Sequence, residues 1–150
     1  MRWPLLVLLA LLLLALVVPV LGADENKIGY VSFEQVSLQL QNGNARVEVD
    51  YTLDPGMNLI ILLFGAGDLQ KKIERSLNFP SVKAEEVGLT QAIFTVDNAA
   101  ENDGKGAYWF PAHSFGVTFP QVKVQTPRYS FSFTMAGAIP KGFGYFGDMP

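Results

Sequence analysis

The chain has 150 residues, no cysteine, one histidine and a formal net charge of −3. This length is typical of one domain, and a chain without cysteine forms no disulfide, thiolate zinc site or iron–sulfur cluster. The single histidine excludes a multi-histidine metal site, and the negative charge argues against sequence-independent binding to nucleic acid, which needs a basic surface. We therefore expect no cofactor and no nucleic-acid partner.

The first 23 residues form an apolar leader. Arg2 is the only charged residue before Asp24, and apolar side chains run without interruption from Leu5 to Val18. This pattern predicts export, through either a cleaved signal peptide or an uncleaved N-terminal membrane anchor. A proline and then two small residues follow the run, which favours cleavage. In either case we expect an extracytoplasmic protein, secreted or tethered, whose only membrane contact is through residues 3–23.

After the leader, alternating apolar and polar residues predict a β-hairpin. Val36, Leu38 and Leu40 alternate with polar residues, and the same period of two continues over residues 45–53. Between the two segments, Asn42-Gly43 suits the positive φ angles of a tight hairpin turn. We expect one face of this hairpin to lie in the core.

Two helical segments are predicted next. Asp54-Pro55 is typical of a helix start, so residues 55–64 are predicted as a short, buried helix. A central strand is the alternative, because residues 57–64 are apolar on every side. Residues 68–78 are predicted as an amphipathic helix in which Asp68 caps the first amides and three residues face the core: Leu69, Ile73 and Leu77.

The rest of the chain is predicted to be rich in β-strands. The candidate strands are residues 82–89, 92–97, 107–110, 115–119, 122–125 and 129–134, with a polar loop over 97–106. Because proline cannot donate to a ladder, Pro111, Pro120 and Pro127 are expected at strand ends, bulges or edges.

These elements predict the fold class and the domain organisation. We expect an α+β fold, mainly antiparallel β, sandwich-like or an open sheet, with one or two short helices (about residues 55–64 and 68–78) after the first hairpin. Residues 24–139 are predicted to form a single globular domain, followed by an irregular tail rich in glycine and aromatic residues over 140–150.

Aromatic residues supply the candidate binding sites. Five residues lie close together in sequence and are the candidate ligand-binding cluster: Tyr108, Trp109, Phe110, His113 and Phe115. Aromatic rings on an exposed sheet stack on sugars or hold apolar groups, although core packing is the alternative. Three rings of the tail either dock back onto the domain or bind a partner as an added strand: Phe143, Tyr145 and Phe146.

No residue is assigned a catalytic role or a firm metal-binding role. His113 adjoins Ser114, but neighbouring residues on an extended strand point to opposite faces and do not easily form a nucleophile–base pair. A weak calcium candidate is the oxygen-rich loop with Asp97, Glu101 and Asp103, although its spacing is not that of an EF-hand and a polar surface turn is the alternative.

The sequence therefore predicts an exported, non-catalytic module. Its expected role is protein–protein interaction, self-association or assembly at the cell surface or envelope. The alternative is a domain that binds a carbohydrate or a small apolar ligand through the aromatic cluster around Trp109.

Overall fold

The computed structural model describes residues 25–148, so the predicted leader, residues 1–23, lies outside the described residues. The described part is mainly β with two short helices, as predicted for an α+β fold. The helices are α1 (Met57–Phe64) and α2 (Gly67–Leu77). The strands are β1 (Lys27–Ile28), β2 (Val31–Gln41), β3 (Asn44–Leu53), β4 (Lys83–Val87), β5 (Gln91–Val96), β6 (Glu101–Gly104), β7 (Ala107–Phe110), β8 (His113–Gln125), β9 (Ser130–Ile139) and β10 (Phe143–Phe146).

The strands form two sheets. The larger sheet has the order β4-β5-β3-β2-β8-β9, and β1 also pairs with β2. It is a mixed sheet, because β2 and β8 run parallel whereas the other neighbours are antiparallel. The smaller sheet has the antiparallel order β10-β7-β6, and its buried residues join the same hydrophobic core as those of the larger sheet.

The first hairpin forms as predicted. Asn42 and Gly43 have φ angles of 47° and 84°, which a two-residue turn of this kind requires at both positions. Across the hairpin, Val36 pairs with Val49 and Leu38 with Val47, and all four side chains are fully buried. The period of two therefore directs one face of β2 and β3 into the core.

Helix α2 also buries the predicted stripe. Leu69, Ile73 and Leu77 are fully buried, as their four-residue spacing indicates. The helix lies against β8 at Gly116, where an added side chain would run into the carbonyl oxygen of Arg75.

The predicted N-terminal caps of both helices are wrong. Asp54 does not cap α1, because Pro55-Gly56 forms a turn closed by a bond from the Met57 amide to the Asp54 carbonyl (3.1 Å), with Gly56 at φ 85°. The residue before α2 is Ala66, with no side-chain cap. The Asp54 and Asp68 carboxylates instead bind other side chains.

The predicted burial of α1 is wrong as well. Within the helix, only Ile61 is buried. Residues that are apolar on every side give no preferred inward face, so their sequence alone does not specify whether a helix lies inside or protrudes.

Three expectations about the C-terminal half are also wrong. The predicted strands 115–119 and 122–125 are one strand, β8, which continues through Pro120. Pro120 lies just outside the ladder with β2, which begins at Gln121, so its missing amide interrupts no bond to β2. The tail is not irregular, since residues 143–146 form β10 against β7. Part of the predicted polar loop over 97–106 likewise forms a strand, β6.

Candidate functional site

Helix α1 presents an apolar surface to solvent. Five of the nine large exposed apolar side chains in residues 25–148 belong to this helix, and they are between 47% and 84% exposed: Leu59, Ile60, Leu62, Leu63 and Phe64. Monomeric soluble proteins rarely leave so many neighbouring apolar side chains in water, and such patches mark interaction sites. The outer surface of α1, defined by these five residues, is the candidate site.

The exposed side chains of α1 surround more than half of the helix. At about 100° per residue, they spread over roughly 200° of the circumference. Ile61 lies on the remaining side and is buried. The helix is therefore anchored along one narrow side and projects its other sides outward.

The start of α1 is held by the segment that follows the leader. Lys27 Nζ lies 2.9 Å from Asp54 Oδ1, and the Asp54 amide donates to the Tyr30 carbonyl oxygen at 2.9 Å. Since Asp54 comes three residues before α1, these two bonds place the start of the helix beside the N-terminal end of the described chain.

The chain beyond the end of α1 returns to the same segment. The Tyr30 hydroxyl donates to Asp68 Oδ2 at 2.8 Å, and Lys72 Nζ lies 3.1 Å from the same carboxylate oxygen. Desolvation, together with the neighbouring Asp68 carboxylate, raises the pKa of Tyr30 to about 12. The hydrogen bond from Tyr30, assisted by Lys72, holds the pKa of Asp68 below its ordinary value.

The ion pairs Lys27–Asp54 and Lys72–Asp68 form a polar base, and the uncharged helix α1 projects from it. Residues 55–67 carry no charged side chain. The first carboxylates on either side, Asp54 and Asp68, are each paired with a lysine. The sequence predicts residues 57–64 to be buried and so does not reveal this site, although the long uncharged stretch between Gly56 and Gly65 is its one visible signal.

The predicted aromatic cluster is divided between the two sheets, because His113 and Phe115 lie on β8 whereas the other three residues lie on the two faces of β7. On the inner face, Tyr108 stacks with Tyr145 (ring centroids 5.6 Å apart) and Phe110 with Phe143 (5.3 Å). Trp109 points to the other face and is 42% exposed. The five residues predicted as one ligand site are therefore not brought together, and Trp109 is the one exposed residue among them.

The three tail residues also divide between the two faces. Phe143 and Tyr145 lie on the inner face, where Tyr145 is buried. Phe146 is exposed, and the Arg128 guanidinium lies 5.2 Å from the centre of its ring. The tail is thus docked on the domain through β10.

His113 is packed as a structural residue. Its ring stacks on Phe79 with centroids 3.9 Å apart, and its edge meets Phe115. Nε2–H donates to the Leu77 carbonyl oxygen at 2.7 Å. Desolvation lowers the pKa of His113, although the bond to Leu77 opposes this shift. The ring therefore links β8 to the end of α2.

The calcium candidates do not form a site. Asp97 pairs with Lys83 at 2.5 Å, and Glu101 lies opposite Trp109 in the register of β6 and β7. Within residues 25–148, no three acidic or histidine side chains come together in a group able to hold a metal ion, so Asp97, Glu101 and Asp103 are not united.

The comparisons with known proteins give no relative. No protein-family model, no curated protein and no solved structure matches the chain. Among residues 25–148, no helix combines the length and the apolar character needed to cross a membrane.

Proposed function

We propose that the protein is an exported, non-catalytic module that acts by interaction at the cell surface or envelope, and that the outer surface of α1 is its contact surface. Export rests on the apolar leader and its single early charge. The contact role rests on one observation, the exposure of five large apolar side chains on α1.

The energetics favour a contact role for α1. Fully burying a leucine, isoleucine or phenylalanine side chain contributes about 1.5–3 kcal/mol. Because the five side chains of α1 are between 47% and 84% exposed, roughly half or more of that free energy remains available for each of them. A partner that covers α1 therefore gains several apolar contacts with little rearrangement of the domain.

The rest of the domain supports a scaffold role. His113, the one histidine of the chain, uses its ring nitrogen Nε2 and one ring face in packing. The end strands β4 and β9 of the larger sheet do not pair with each other, which supports an open sheet with the smaller sheet beside it rather than a closed barrel. On this scaffold, α1 is fixed at its two ends by side chains of the β1–β2 segment.

Cysteine labelling tests both parts of the proposal. The chain contains no cysteine, so Leu63→Cys introduces a unique thiol on α1. Asp103→Cys is the matched control, because Asp103 is an exposed residue of β6. In an exporting host, a membrane-impermeant maleimide applied from outside is expected to label Asp103→Cys quickly and Leu63→Cys slowly, with equal rates after unfolding.

Different labelling results would refute export and the contact role of α1. If neither cysteine is labelled from outside but both react in lysed cells, the chain is not exported. If both cysteines react equally fast on the intact cells, nothing covers α1 and its contact role is refuted.

A carbohydrate-binding role is the second candidate, and the exposure of Trp109 favours it. The ring lies against Gly142, where any side chain would collide with it, and 42% of the residue remains open to solvent. Such a ring is suited to stack on a sugar. In a Trp3→Phe background, added oligosaccharides should change the Trp109 emission, and unchanged emission across a panel would eliminate this candidate.

A further inference from the structure

We propose that the partner of α1 is a lipid bilayer, and that the helix enters the leaflet beside which the chain emerges after its leader. This inference rests on the proposed function, since it names the partner of the same surface, and of the two predicted forms of the leader it takes the uncleaved anchor. It adds a second membrane contact to the one expected for residues 3–23.

The shape of the apolar surface favours lipid over a protein groove. A helix that docks in a groove uses a stripe of anchors at positions i, i+3, i+4 and i+7. The exposed apolar side chains of α1 instead span roughly 200° of its circumference, at about 100° per residue. Acyl chains surround an immersed helix on all its open sides, whereas a groove covers one side.

The position of α1 places it at the membrane when the chain is held there by its leader. Ala23 ends the apolar leader, and the four residues from there to Lys27 span at most about 14 Å. Lys27 is paired with Asp54 at 2.9 Å, and Asp54 lies three residues before α1. A bilayer that holds residues 3–23 is therefore within reach of α1.

The charges around α1 are compatible with immersion. Residues 55–67 bring no charge into the apolar phase, where an ionised side chain is costly. Asp54 and Asp68 at the base are each paired with a lysine. The two pairs have no net charge, so they do not repel the phosphate groups of the lipids. Tyr30 lies between them, and tyrosine is enriched at the level of the headgroups.

The length of α1 limits its insertion to one leaflet. Eight residues at about 1.5 Å per residue give a helix of about 12 Å. This is far short of the hydrocarbon core of about 30 Å, but it suits a depth of about 5–10 Å at the boundary between headgroups and acyl chains.

The experiment measures the depth of α1 in vesicles. The full chain, carrying Leu63→Cys labelled with a polarity-sensitive dye, is reconstituted in phosphatidylcholine vesicles with or without nitroxide groups on the acyl chains. Asp103→Cys with the same dye is the control on the same anchored protein. Leu62→Cys is a second position on α1, and it guards against a local effect of one label.

The proposal predicts a difference between the dye on α1 and the dye at position 103. At a depth of about 5–10 Å, the dye on α1 should shift its emission to shorter wavelength and lose roughly half or more of it to the nitroxide lipids. The dye at position 103 should do neither. A dye on α1 that behaves like the dye at position 103 overturns the inference.

A different result separates this inference from the proposed function. If the dye on α1 reports an apolar setting that the nitroxide lipids do not quench, and the effect grows with the protein-to-lipid ratio, a second copy of the chain covers α1. The lipid inference then fails while the contact role stands. Rapid maleimide labelling of Leu63→Cys on intact cells would refute both.

Discussion

Removing two side chains from the outer surface of α1 should leave the domain folded. Leu62 and Leu63 are 71% and 69% exposed, and exposed substitutions usually change the free energy of unfolding by no more than about 0.5 kcal/mol each. The variant Leu62→Ser with Leu63→Ser should therefore lose at most about 1 kcal/mol. Leu69→Ala in α2 removes a fully buried leucine, which costs about 2–5 kcal/mol.

Pulse proteolysis in urea measures these differences on the full chain in one detergent. Detergent binding to α1 should contribute little to the differences in the free energy of unfolding. The side chains of α1 are exposed in both the folded and the unfolded protein, so they bind detergent in both states. The order of stability should be wild type, then the double serine variant close behind, then Leu69→Ala. A loss of more than about 2 kcal/mol in the double variant exceeds what exposed side chains explain. It would mean that the outer surface of α1 packs within the chain, and it would refute the exposure on which the proposals rest.

Three further predictions concern the scaffold. His113 has a lowered pKa in the folded state, so the unfolded state binds its proton more readily and stability falls as the pH drops below about 6.5; His113→Gln should flatten this part of the pH profile in equilibrium unfolding. Gly116→Ala should cost about 1–3 kcal/mol, because the added methyl group meets a backbone carbonyl of α2. Gly137→Ala is the control, since the nearest neighbour of its methyl group would be 3.4 Å away. In a urea titration, this control should change the free energy of unfolding by no more than about 0.5 kcal/mol. Tyr30→Phe removes the hydrogen bond that is the largest cause of the lowered pKa of Asp68, so the carboxyl pKa followed by NMR should rise, and an unchanged value would contradict this assignment.

The sequence predicts well those elements whose pattern is local. The period of two in β2 and β3, with Asn42-Gly43 between them, specifies both the hairpin and its buried face. The four-residue spacing of Leu69, Ile73 and Leu77 does the same for α2. In both cases one face is apolar and the other polar, so the pattern indicates which face packs against the core.

The sequence does not predict features that depend on distant partners. Strand β10 forms because Phe143–Phe146 pairs with Ala107–Phe110, and nothing within a segment so rich in glycine indicates that pairing. The continuity of β8 through Pro120 depends in the same way on where β2 begins to pair with it.

The candidate site was missed for a physical reason. An apolar segment is stable in a core, in a membrane or under a partner, and composition does not distinguish these surroundings. The exposure of α1 follows from the placement of its ends, which Lys27, Tyr30 and the turn at Gly56 determine. These contacts join residues that are 27 and 38 positions apart in the chain, so no local sequence pattern predicts them.

Photocrosslinking in cells tests the central claim most directly. A photoreactive amino acid replaces Leu63 on the outer surface of α1 or, as the control, Ile61, which is buried in the same helix. In an exporting host under illumination, our account predicts lipid adducts from position 63 and adducts within the domain from position 61. Adducts from position 63 that form only within one molecule of the protein would contradict it.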